Sequence, residues 1–400
     1  MSSPPTQLQV VLADMVTRCC LGSCCSSRDY QMLKVEEVPE MFQEPYIYSG
    51  YRQVDRPWSY YLRSIFMLHN ESINVWTHSL GMFSVLYSLL ACLRNLDLQS
   101  ENHARCVLFF GVCCLVNLAL SAIAHLFHSK SRWHHFAFLF LDYMGVSFFI
   151  FGSGVVSMFV CSSKPFHNLF SSWFLPANVF LSWFAFFACV YAKVKLAYNN
   201  SHRKGMILAG VVSQAVVIAL PTAWRLVECV LEPTCELYHL SHLIIMFFML
   251  IMCGVTFGCH VPESLWPGHF DILGHGHQWF HVTAVLAMMT QMWAIDVDLN
   301  LDQRAKQLQQ PGAGELLVFL VILVVIESAT VVYYMRSVTD TYSEASSQSL
   351  LGKDTQVDYR DAVNTEGDSQ DLLSKIIKSV EMDELHGKKQ TEITEKHKEE

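Results

Sequence analysis

Eight stretches of this chain run for about 20 residues with almost no charge, at about 74–95, 106–127, 136–160, 170–192, 206–227, 238–259, 279–297 and 315–335. A helix rises about 1.5 Å per residue, so each stretch is long enough to cross roughly 30 Å of hydrocarbon. The pattern predicts an all-α polytopic membrane protein, a seven-helix core bundle plus an eighth transmembrane helix. Pro176 and Pro221 fall inside spans, which a buried bundle tolerates. Ahead of the first span, "PWSYYLRSIFMLHNES" repeats Trp58, Tyr61, Leu62 and Ile65 at helical spacing beside Arg56 and Arg63. That is the pattern of a helix lying in the membrane interface, with a short soluble helix packed on the bundle as the alternative. The expected organisation is a flexible arm (1–45), an interfacial amphipathic helix (46–73), a seven-transmembrane core (74–300), the eighth helix (315–335) and a disordered tail (340–400). In the tail, Leu372, Leu373, Ile376, Ile377 and Val380 make one amphipathic turn. Asp368 before the leucine pair resembles an acidic dileucine sorting signal, a pattern common by chance.

Composition supports the membrane reading: 52% of residues are hydrophobic and 16% charged, against about 25% charged in soluble domains. Asp14 and Arg18 interrupt the first 30 residues, so no signal peptide is expected and the first span must act as the insertion signal. The net charge of -9 comes partly from the tail, and no long basic run is present to bind nucleic acid. Most of the 14 cysteines sit as small hydrophobes in apolar runs. Cys19, Cys20, Cys24 and Cys25 form a cluster without the second ligand pair of a zinc knuckle. They read as S-palmitoylation sites on a cytosolic arm, or as an unmodified disordered arm.

Lysine and arginine in short loops set orientation. With the N-terminus inside, Arg52, Arg56, Arg63, Lys130, Arg132, Lys193, Lys195, Arg203 and Lys204 lie inside. Arg94, Arg105, Lys164, Arg225, Arg304 and Lys306 then lie outside, a mild bias for an inside N-terminus and, with eight helices, an inside C-terminus. Cys229 and Cys235 fall near the outer face on this arrangement and are placed to pair. The sequons at Asn70 and Asn199 both fall on the N-terminal side, so glycosylation at Asn199 would contradict it.

Ionisable groups at span ends are costly and usually functional. His125 ends the second span, Asp142 lies in the first turns of the third, His277 and His281 open the seventh, and Glu71, Asn74 and His78 open the first. Because the chain reverses at each crossing, all of these share the membrane face that carries the N-terminus. His277 and His281, at i and i+4, point to one side of a helix and can reach one ion. Gln278 stands where a zinc protease of the H-E-x-x-H type carries its base, so that mechanism is not supported. His125 would supply a third nitrogen, leaving a fourth position for water, with Asp142 holding that water; imidazole suits zinc. A single histidine at a helix end is more often an interfacial residue, and an isolated H-x-x-x-H pair is more often not a metal site. His275 reads as a loop neighbour, Glu71 and His78 as braces of the bundle, and His128, His134 and His135 as loop or interface residues.

Together these residues resemble the progestin and adipoQ receptor family over about residues 45 to 300. "HNESINVWTH", then "SAIAHLFHS" with "LDYMGVS", then "VPESLWPGHFDILGHGHQWFHV" look like its three ordered motifs. "EPYIYSGYR" and the eighth helix resemble the membrane progestin receptor branch. The resemblance implies zinc on His125, His277 and His281, Asp142 positioning a water, and Ser121 hydrogen-bonding in the same site. It also implies a plasma-membrane receptor for progestin-type steroids, signalling through G proteins, with a site pattern shared with alkaline ceramidases.

Two functions follow. One is a membrane steroid receptor, with aromatic residues such as Phe148, Phe149, Phe151, Phe159, Trp183, Phe184, Phe186 and Phe187 available to line a pocket for a steroid or other lipid, or simply to face lipid or core. The other is a zinc-dependent intramembrane hydrolase of lipid amides, with Asp142 and Ser121 as its catalytic pair. A purely structural zinc ion is the third reading.

Overall fold

A computed structural model describes residues 31–94, 96–196, 201–301 and 304–363. The Cys19–Cys25 cluster, the Asn199 sequon and the amphipathic turn at Leu372–Val380 lie outside the described residues. The short strands β1 (Leu33–Lys34) and β2 (Ser49–Tyr51) pair antiparallel before the first helix. Helix α1 is Trp58–Ser64. The long helices are α2 (Ser72–Leu93), α3 (Asn102–Phe127), α4 (Arg132–Phe159), α5 (Lys164–Lys195), α6 (Ser201–Leu231), α7 (Ser241–Gly258) and α8 (Gly276–Leu301). The short α9 (Arg304–Gln307) precedes α10 (Ala313–Val363), whose apolar, membrane-length part is Ala313–Thr339. From Thr339 onward the chain forms a unit of its own. Among the described residues eight helices are long and apolar enough to cross a membrane, as the hydropathy pattern predicts.

The helices extend beyond the apolar stretches because polar residues start and finish them. Ser131 accepts a hydrogen bond from the His134 amide and caps α4; Ser163 accepts from Phe166 and caps α5, with a proline in its first turn. At the other end of α3, Arg52 is 2% exposed. Its guanidinium donates to the carbonyls of Leu126 at 2.6 Å and His125 at 2.7 Å. These are carbonyls at the end of a helix, where backbone acceptors lack helical partners and a cation is favoured.

Packing runs α2–α3–α4–α5–α6 in chain order, and α8 closes back on both α7 and α2. The core between them includes Leu89, Phe110, Leu118, Phe151, Met158 and Ile295, all buried. Among the described residues the ring has a seam. Among the described residues, α6 and α7 do not pack along their length, although they are consecutive. They meet at the end away from the N-terminus, where Cys229, Leu240 and Leu243 cluster. A Cys229–Cys235 disulfide ties α6 to the connecting loop there, so these cysteines pair as expected.

The predicted amphipathic segment is a short helix with two faces. Tyr60, Tyr61 and Ser64 of α1 turn inward, while Trp58 and Leu62 are exposed.

Candidate metal centre

Three histidine side chains meet at the end of the bundle nearest the N-terminal segment. His125 comes from the last turn of α3, where Arg52 pins the backbone. His277 and His281 come from the first two turns of α8. The start of α8 is fixed by Glu263, which accepts from the Gly276 amide at 2.6 Å and places a carboxylate at a helix N-terminus. Gln278 accepts from the Gly274 amide at 2.6 Å and donates to the Ile272 carbonyl at 2.8 Å, locking the turn that leads in.

His277 Nε2 lies 3.3 Å from His125 Nε2 and 3.2 Å from His281 Nε2. One nitrogen from each of the three rings falls within 4.8 Å of the others. The remaining nitrogens decide what this cluster can be. His125 Nδ1 is 2.7 Å from Glu71 Oε2. Burial pushes the Glu71 carboxyl up, but the facing His125 and His128 outweigh it and hold the group well below the usual carboxylate range. Glu71 therefore accepts, and His125 carries its hydrogen on Nδ1. His281 Nδ1 is 3.2 Å from the Asn74 carbonyl, another obligate acceptor. His281 thus carries its hydrogen on Nδ1 as well. Both rings then aim an Nε2 lone pair at His277 Nε2, which holds at most one proton. A cation among the three nitrogens would satisfy them all, so the cluster could hold a metal ion.

Asp142 and Ser121 line the same cavity as His277 and His281. The cavity holds about 240 Å³ and its wall is almost wholly apolar. From Asp142 it runs between α4, α6, α7 and α8, past Val146, Phe149, Ile218, Leu250 and Met288. His277 is exposed by area, but the surface it shows is on this wall.

The structure brings together all five residues that sequence reasoning selected, His125, His277, His281, Asp142 and Ser121. Several neighbours behave differently from the sequence expectation. Glu71 does more than brace the bundle: it joins His125 to Asn74 Nδ2, 2.6 Å away, and to His128 Nε2, 3.3 Å away. His128 continues to His135 at 3.2 Å, so these two are buried in the network rather than being loop residues. His78 stacks on His281 with ring centroids 3.7 Å apart. His275 is a neighbour, as expected, with Nε2 3.2 Å from the Asn70 carbonyl. Burial lowers its pKa. Of the aromatic residues proposed for a pocket, Phe149 and Phe186 line the cavity; Phe151 and Phe159 fill the core. Asn70 is buried, 6% exposed, and is closed to a glycan.

Sequence reasoning missed a second buried polar group at the far end of the bundle. Arg225 Nη1 lies 2.8 Å from Asp298, and His242 Nε2 3.0 Å from the same carboxylate. Arg225 is thus a buried ion-pair partner, not a loop charge. The one available signal was the coexistence of an arginine and an aspartate at neighbouring span ends.

Residues 66–292 match the family described as Haemolysin-III related. Membrane progestin receptor alpha of Cynoscion nebulosus is 35% identical over 274 residues, covering 67% of this chain and 76% of that protein. Membrane progestin receptor beta of Mus musculus is 36% identical over 266 residues, 66% of this chain and 74% of its own. Membrane progestin receptor alpha-B of Danio rerio is 31% identical over 318 residues, 78% and 88%.

Proposed function

The chain belongs to the Haemolysin-III related family, and on that premise we propose that it is a plasma-membrane receptor for progestin-type steroids with a zinc ion held by His125, His277 and His281. The observation that carries the proposal is the convergence of three imidazole nitrogens at the end of an apolar cavity. Zinc bonded to nitrogen at about 2.0–2.1 Å in a tetrahedron sets its ligand nitrogens about 3.3 Å apart. The two measured Nε2 separations, 3.3 and 3.2 Å, suit that spacing. Three neutral nitrogens and no thiolate also suit zinc over magnesium or calcium. The relatives named membrane progestin receptors support a steroid as the ligand. An apolar cavity with polar groups concentrated at one end suits such a molecule. The seam between α6 and α7, both of which line the cavity, gives a lipid-like ligand a route from the bilayer. G-protein coupling rests on the family resemblance alone.

We place both termini in the cytoplasm and read α1 as interfacial. Arg52 and Arg225 are buried, and removing both leaves the bias of loop lysines and arginines on the N-terminal side. The Cys229–Cys235 pair, on the opposite face, suits an oxidising compartment. We keep the core of 74–300 and the eighth helix as proposed divisions; the arm and tail differ from expectation, since β1 at Leu33–Lys34 pairs with β2 and α10 continues to Val363.

A second reading, a zinc-dependent lipid amide hydrolase, is favoured by one observation. Asp142 and Ser121 line the cavity beside His277 and His281. Zinc, when bound, supplies Lewis acidity toward a carbonyl and eases the loss of a proton from water. In this reading the Asp142 carboxylate would take that proton and hand it to a leaving amine, with Ser121 beside it in the same lining. The His125 ring is kept in one tautomer by Glu71 throughout. The receptor reading is tested by metal analysis and labelled-progesterone binding on the purified protein. Zinc near one per chain with saturable binding supports it; no saturable binding refutes it. Turnover of a fluorescent ceramide decides the hydrolase.

A further inference from the structure

The face of α8 that carries the metal-site histidines continues beyond them. His277, His281, Ala284, Met288 and Gln291 recur at spacings of four and three, so they form one stripe along the helix. The first four line the main cavity. Gln291 lines a smaller recess of about 10 Å³ that adjoins it, sharing Phe149, Ile218 and Leu250 as wall. On α4 the same progression runs from Asp142 through Val146 and Phe149 to Ser153, which also lines the recess. At about 1.5 Å per residue, both helices set the two polar ends roughly 15 Å apart. Val146, Phe149, Ala284, Met288, Ile218 and Leu250 make much of the wall between them apolar, with Asn117, Ser147 and Gln214 as further polar lining.

Gln291 is 5% exposed and Ser153 fully buried. Ser153 Oγ donates to Gln291 Oε1 at 2.8 Å, a good bond that fixes the amide. The other side of the amide is poorly used. Gln291 Nε2 reaches the Ser153 carbonyl and Ser157 Oγ only at 3.4 Å each. N–H donors prefer acceptors at about 2.9–3.0 Å. The amide is therefore anchored by its oxygen, and its N–H donors, held only by long bonds to α4, lie in the recess that adjoins the cavity. An uncharged acceptor such as a ketone oxygen satisfies it; a hydrocarbon end does not.

We propose that Gln291, oriented by Ser153, is a second polar subsite that selects a rigid, lipid-sized ligand with an acceptor oxygen at the end remote from the metal centre. This rests on the steroid reading above and sharpens it. A single-headed lipid, such as a fatty acid or sphingoid base, has nothing to place there, whereas a steroid carrying an oxygen at each end does. A far oxygen would replace the long 3.4 Å bonds of this buried donor with a better one, so the site discriminates against analogues lacking it.

The test uses purified full-length protein, labelled progesterone, and two competitors that each retain only one of its two carbonyls. Whichever way the steroid lies, one competitor loses the far contact. The wild type is expected to bind that competitor about tenfold or more weakly than progesterone, the usual scale of one buried hydrogen bond. Gln291→Leu is expected to bring the two within about twofold while keeping the zinc content of the wild type. If Gln291→Leu aggregates or loses zinc, Ser153→Ala, which frees the amide to rotate, decides on the same readouts. A wild type that binds all three steroids alike, or a preference that survives both variants, overturns the subsite and leaves the receptor reading intact. A wild type that binds none of them overturns the receptor reading and the subsite with it.

Discussion

Glu71 shows how much of this site depends on a residue that would not itself touch the ion. Its carboxylate holds His125 Nδ1 and so fixes which nitrogen of that ring carries the lone pair. Groups in this position typically contribute 10–100-fold to metal affinity. Glu71→Gln is expected to weaken zinc binding by about that factor, read by competition with a chromophoric chelator, with the fold unchanged by circular dichroism. Unaltered affinity would mean that Glu71 only packs. Asp142→Asn is expected to abolish any ceramide turnover while progesterone binding holds, because the amide cannot accept a proton yet keeps its shape. Undiminished turnover would remove Asp142 as the base. His125, Asp142, His277 and His281 were legible in the sequence because cost marks them: imidazole and carboxylate at span ends need a reason; Ser121 came only with the family resemblance. The Glu71–His125 link was not legible. It crosses between α2 and α3, 54 positions apart, and nothing in either segment names the other.

Charge placement carries the same lesson for the helices. Hydropathy ends the seventh span near 297 because Asp298 follows, and a charge there reads as loop. The helix instead continues to Leu301 and buries Asp298 against Arg225 of α6 and His242 of α7. A buried ion pair is invisible to a one-dimensional scale, since each partner counts against burial until the other is known. Removing one partner strands the other, at a cost of about 3–5 kcal/mol. Arg225→Met should therefore lower the thermal midpoint in detergent by several degrees, read by scanning fluorimetry. An unchanged midpoint would mean the pair adds no stability. Close helix contacts escape the sequence in the same way. A Cβ on Gly154 of α4 would lie 2.6 Å from Asn178 Nδ2 of α5, and Asn178 donates to the Phe151 carbonyl. Gly154→Ala is expected to cost about 1–3 kcal/mol through that overpacking, measured the same way.

At the scale of the molecule, the number of crossings and the gathering of polar ends on one face follow from alternation alone, and both are present. The open seam between α6 and α7 does not follow from it. Consecutive helices usually pack, and only the assembled ring shows that α7 closes on α8 instead. The cavity behind that seam, with His277 and His281 at one end, is a property of the ring rather than of any segment. The central claim is that this ring encloses a zinc site made of His125, His277 and His281. It is tested most directly by zinc stoichiometry, by plasma mass spectrometry, on purified wild type and His281→Ala. The account predicts about one zinc per chain in the wild type and essentially none in the folded variant. Equal zinc in both, or none in the wild type, would contradict it.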